Sequence, residues 1–162
     1  MKKTMGVAAL MLALVCVFAG CDFKAEKEYE ANLQTVLEEV SSSKQAVDES
    51  MQSSAGSIGN ATEIPEDTFK PVLEKIEVAE EKCKALAALE APEKYKETQN
   101  LLKQSADKML EAYGKYREGM SKMVGASADI DMDSITELLT DGDSAMTEAG
   151  KIMTEAGKLQ TK

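Results

Sequence analysis

The sequence predicts an all-α fold, an antiparallel up-down four-helix bundle, from three observations. Apolar residues recur at steps of three, four and seven in four separate stretches. Proline, glycine and serine clusters fall between those stretches. No segment shows the alternation of a half-buried strand. The helices are expected at about 24–54, 68–90, 92–124 and 132–159, with a linker over 53–67. Short connections make consecutive helices turn back on one another. The alternative is a three-helix bundle with a loosely docked C-terminal helix.

In the first stretch Tyr29, Leu33, Val36, Leu37, Val40, Val47 and Met51 form one stripe, and Glu26, Glu28, Glu30, Glu38 and Glu39 lie largely off it. Ser41-Ser42-Ser43 is weak in helix propensity, but the register continues through it, so it reads as a polar patch. Residues 53–67 begin with almost no large apolar side chain whose burial would offset the entropy of ordering. The second helix begins between Pro65 and Pro71, where a missing N–H costs nothing. Its stripe is Phe69, Val72, Leu73, Ile76, Ala79, Cys83 and Leu86, and Ala91-Pro92 closes it.

Pro92 is expected to open the third helix, in which Tyr95, Leu102, Ala106, Met109, Tyr113, Tyr116, Met120 and Met123 recur about every 3.5 residues, the period of coiled-coil packing. Gly125-Ala126-Ser127 stops it. The fourth starts between Asp131 and Ser134, with Ser134 and Glu137 in a capping-box pattern. Ile135, Leu138, Leu139, Ile152, Met153 and Leu159 supply its apolar face. Residues 146–152 and 153–159 repeat one heptad, which places Ala149-Gly150 and Ala156-Gly157 seven residues apart. Those glycines predict the least stable helix of the four, frayed at its end.

The composition excludes several classes of function. A formal net charge of −10 is repelled by phosphate backbones, so nucleic acid is not an expected partner. The chain has no histidine, which removes the commonest general base near neutral pH and the commonest metal ligand. No residue set takes nucleophile, base and oxyanion roles, so the chain reads as a non-enzyme without a cofactor.

A few clusters remain to be weighed. Asp129, Asp131 and Asp133 have the spacing that opens a calcium loop, but Ser134 stands where the loop needs Gly, and Thr140 where it needs a bidentate Glu. They are weak metal candidates; capping of a turn is their ordinary use. Met120 and Met123, with Met109 and Met153, offer thioethers of the kind cuprous ions take, although methionine at helical spacing usually packs a core. Glu74, Glu77, Glu80 and Glu81 lack the histidines of a di-iron bundle and read as a solvated face. Cys83 falls on an apolar stripe, where burial raises a thiol pKa and makes it inert. Tyr95, Tyr113 and Tyr116 share one face, as core packing or as the lining of a ligand slot.

The N-terminus is of another kind. Met1-Lys2-Lys3 precedes 15 uncharged residues, Met5 to Ala19. That run is shorter than the roughly 20 apolar residues a membrane span needs. A basic start, a short apolar core and small residues at its end mark a secretory signal peptide. Here Val17-Phe18-Ala19-Gly20 leads directly into Cys21.

This layout resembles the lipobox of bacterial lipoproteins, with Phe18 where leucine is usual. The resemblance covers residues 1–21 and implies that 1–20 is a signal peptide. Cys21 would then be lipidated, palmitate among its acyl chains, and would start a mature helical domain over 21–162. Two or three acyl chains give durable attachment to the cell membrane on its exported side. Asp22 implies the periplasmic face of the inner membrane if the host has two membranes. Loss of Lys2 and Lys3 would take the net charge from −10 to −12. Cys83 would be left as the one unmodified thiol, without an internal disulfide. The rest of the chain is similar to small helical lipoproteins only in style. The expected function is that of a non-catalytic, membrane-anchored module of the cell envelope. It would be structural or bind an envelope protein. The alternative is a lipoprotein that binds a small ligand or calcium.

Overall fold

The computed structural model describes residues 24–58, 64–65, 67–124 and 131–160, and every regular element among them is helical. Helix α1 is Lys24–Ile58, α2 Lys70–Ala87, α3 Lys96–Met123 and α4 Met132–Gln160, with a single 3₁₀ turn, Glu93–Tyr95, before α3. The four pack as an antiparallel bundle around one core to which each contributes. Three cross-helix contacts give the directions. Ser54 Oγ donates to the Thr68 carbonyl (3.2 Å) between the end of α1 and the approach to α2. Gln99 Nε2 donates to the Leu86 carbonyl (2.8 Å) between the start of α3 and the end of α2. Ser105 Oγ donates to the Ala149 carbonyl (2.9 Å) between α3 and α4.

Helix α1, with 35 residues, spans about 52 Å and is the longest of the four. Helix α2 has 18 residues and covers about half of that. Pro71 lies in its first turn, and it ends at Ala87, three residues short of the expected Glu90. Pro92 does not open an α-helix. It caps the 3₁₀ turn, in which Tyr95 N–H donates to the Pro92 carbonyl at 2.8 Å, and α3 starts only at Lys96. The 3₁₀ turn and the start of α3 meet the part of α1 that α2 does not reach, through Lys94 to Glu26, Tyr95 to Glu30 and Gln99 to Tyr29.

Helix α1 also runs four residues beyond the expected Ser54, into the segment read as linker. The reason is tertiary. Ser54 is buried, and its hydroxyl ties α1 to the approach of α2, so weak helix formers are held by a contact their own composition does not reveal. At the start of α4 the cap is Asp131, not Ser134. The Asp131 Oδ1 accepts the Ser134 N–H (3.1 Å), and its carbonyl accepts from Ile135 N–H (3.2 Å).

The closest helix pair is α3 and α4. Ile135, Leu138 and Met153 are buried as expected, but the middle of the α4 seam is Gly142, Ala145, Ala149 and Ala156. Small side chains let the backbones approach closely. This docks α4 firmly and decides for four helices over three. Gly142 is the tightest point, since a Cβ there would lie 2.5 Å from the Tyr116 ring. Gly114, exposed on the opposite side of α3, has nothing within 4 Å of the equivalent position.

These two glycines separate packing from helix propensity. Gly142→Ala is expected to destabilise by about 1–3 kcal/mol through overpacking. Gly114→Ala is expected to stabilise by about 0.5–1 kcal/mol by removing a flexible residue from a helix interior. Urea melts followed by circular dichroism read both; equal shifts of one sign would refute the close approach at Tyr116.

Candidate functional site

Seven of α1's residues, Leu33, Leu37, Val40, Lys44, Val47, Met51 and Ser54, fall on one line at alternating steps of four and three. Lys44 occupies a core position of that line. It is only 8% exposed, and its Nζ reaches out 2.5 Å to Asp48. From α3, Tyr113 and Tyr116 meet edge to face, with ring centroids 6.5 Å apart, and Tyr116 donates to Asp143 of α4 (2.7 Å). The Tyr113 hydroxyl is buried and makes no hydrogen bond among the described residues.

A second polar layer joins α1, the turn before α3 and the start of α3. Tyr29 donates to Gln99 Oε1 (2.8 Å), and Tyr95 donates to the buried Glu30 carboxylate. The rings of Tyr29 and Tyr95 stack at 5.2 Å, and the Lys94 ammonium lies 5.0 Å above the Tyr95 ring. Gln99 spends its donor on the Leu86 carbonyl, so this layer locks three chain segments together.

Burial raises the pKa of every phenol in these layers. For Tyr95, burial and its bond to Glu30 push the value up to about 12. Tyr29, Tyr113 and Tyr116 rise further, burial again being the largest cause. Cys83 behaves likewise, pushed up to about 12 by burial and by nearby Glu80. Its thiol points at the Met109 sulfur, 3.8 Å away in the core. It is an inert hydrophobe, as its place on the stripe predicts.

The residues singled out in the sequence do not converge on one site. Cys21 and Asp129 lie outside the described residues. Asp131 is committed to capping α4, and Asp133 is exposed in the first turn of the same helix. Met109, Met120 and Met153 are buried in the packing, and Met123 is half-buried. Glu80 pairs with Arg117 (2.8 Å). Among the described residues no three His, Cys, Asp or Glu side chains are grouped to hold a metal ion.

What the structure adds is a surface groove of about 450 Å³ between α1 and α2. Glu39, Ser42, Ser43 and Ala46 line it from α1; Lys75, Val78 and Lys82 line it from α2. Lys82 bridges the two walls to Glu39 at 3.0 Å. Val78 is 46% exposed. Two signals in the sequence marked this place: a valine standing off the α2 stripe, and the serine run set aside as a polar patch.

Compared with known proteins, the chain matches no family model, no curated protein and no solved structure. No helix among the described residues is long and apolar enough to cross a membrane.

Two measurements test the polar layers. Tyr113→Phe is expected to be neutral or to stabilise by up to about 1 kcal/mol, because it removes an unpaired buried hydroxyl. Gln99→Leu is expected to cost about 1–3 kcal/mol, because it leaves the buried Tyr29 hydroxyl without its acceptor. The second measurement is of pH. The unfolded chain ionises Cys83 from its ordinary value of 9.0 and its tyrosines from 10.0, while the folded chain holds Cys83 and Tyr95 neutral to about 12. Their contribution to stability is therefore complete below pH 9 and is lost as pH rises toward 12. Helicity and tyrosinate absorbance should change together in that window; tyrosinate appearing well before helix loss would show exposed phenols.

Proposed function

We propose that this protein is a lipid-anchored component of the bacterial cell envelope, a non-catalytic helical bundle that works through protein contact. The observation that carries the reading is the junction Val17-Phe18-Ala19-Gly20-Cys21 after a basic start and a short apolar run. Attachment through two or more acyl chains needs no spanning helix. Lys24, the first described residue of α1, is three residues from Cys21, and three residues reach at most about 10 Å, so an anchor at Cys21 would hold this end of the bundle close to the bilayer. An acidic body does not bind anionic headgroups by itself, so the lipid does the anchoring.

Mass spectrometry of the native protein tests this. An acylated N-terminal peptide starting at Cys21 is expected, and Cys21→Ser should move the protein out of the membrane fraction. An unmodified Cys21, or a mature chain starting elsewhere, refutes the reading.

A further inference from the structure

We infer that the α1–α2 groove is an interface for a second copy of this chain, paired in parallel about a two-fold axis that runs along the groove. The α1 wall residues Glu39, Ser42, Ser43 and Ala46 are spaced i, i+3, i+4 and i+7, the diamond that forms a hole in knobs-into-holes packing. Three of the four are small. A knob stands beside the hole on the same molecule. Lys82 is level with Glu39, and Val78 lies one turn beyond Lys82 as Ser43 lies one turn beyond Glu39. Val78 is thus an exposed apolar side chain at the height of a hole it does not fill. A closed two-fold contact needs one patch with both complementary features, as here.

Charge chooses between the two possible axes. Glu38 and Glu39 lie on the α1 wall, and Lys75 and Lys82 on the α2 wall. An axis across the helices would set α1 against α1 and acid against acid. An axis along them sets the α1 wall of each copy against the α2 wall of the other. Val78 then enters the partner copy's hole, the groove-lining Lys75 and Lys82 come opposite Glu38 and Glu39, and the exposed Glu74 and Glu81 fall on the other side of Val78, away from the groove. The same axis puts both α1 N-termini, and so both Cys21 residues, at one end. The pairing does not itself depend on the lipid, but on the proposed anchoring both copies sit on one bilayer. Confinement there raises their effective concentration and strengthens a small contact.

The test uses the full chain, in detergent for sedimentation and in vesicles for crosslinking. A dimer is expected at high micromolar concentration. Val78→Lys, an exposed change, should weaken it at least about tenfold with helicity unchanged. Ala46→Trp, which fills the hole, should weaken it as well. In vesicles, Val78→Cys mixed with Ser42→Cys should give a disulfide-linked heterodimer. A monomeric wild type with no crosslink overturns the proposal, as does a dimer indifferent to both substitutions. Efficient Ser42→Cys self-crosslinking overturns the parallel arrangement. The acylation state of Cys21, read by mass in the same samples, reports on the anchor separately.

Discussion

The close approach of α3 and α4 is the constraint on which the rest of the bundle depends. It is possible only because α4 offers Gly142, Ala145, Ala149 and Ala156 where a usual helix offers leucine. Close backbones bring Ser105 within 2.9 Å of the Ala149 carbonyl and let the Tyr116 ring lie against Gly142. With that pair formed, the larger side chains of α3, Leu102, Met109 and Tyr113, are free to fill the space toward α1 and α2. The glycines that weaken α4 as an isolated helix are therefore compatible with a strongly docked one, since tertiary packing outweighs propensity.

The fold class was legible because each helix carries a stripe whose period only a helix can bury. Leu33, Leu37, Val40 and Val47 of α1 and Val72, Ile76, Ala79, Cys83 and Leu86 of α2 are all in the core. What was not legible rests on pairs distant in sequence. Nothing near Ser54 announces Thr68, and nothing near Tyr29 announces Gln99. The capping-box pattern points three residues too late because Asp131 and Ser134 are both good cap residues, and it is Asp131 that accepts the Ser134 N–H. The groove is only faintly marked in the sequence, by an off-stripe valine and a serine run, for a related reason. A hole is made of small side chains, which carry almost no signal in an apolar pattern.

The polar groups on the core line do different work from the leucines. Lys44 sits where the register asks for an apolar residue, and a lone lysine at such a position costs stability while excluding other alignments. The Tyr29–Gln99 and Tyr95–Glu30 bonds act the same way near the N-terminal end of α1, because sliding α1 by one turn would break both. A long helix packed by uniform stripes could shift along its neighbours at little cost. The Tyr29–Gln99 and Tyr95–Glu30 bonds near one end of α1 and the Ser54–Thr68 bond near the other fix its height.

That fixed height gives the outer face of α1 a meaning. If α1 could slide against α2, Val78 would face no particular α1 residue, and the Glu38 and Glu39 wall would have no defined opposite. Register set inside the bundle is what keeps the exposed valine beside the diamond of Glu39, Ser42, Ser43 and Ala46. The acidic charge of the chain then works against indiscriminate contact, since two such molecules repel unless lysine walls meet glutamate walls. On the proposed anchoring, copies would lie side by side on one bilayer, and specific pairing under general repulsion would suit that arrangement, where encounter is frequent and selectivity is the harder requirement.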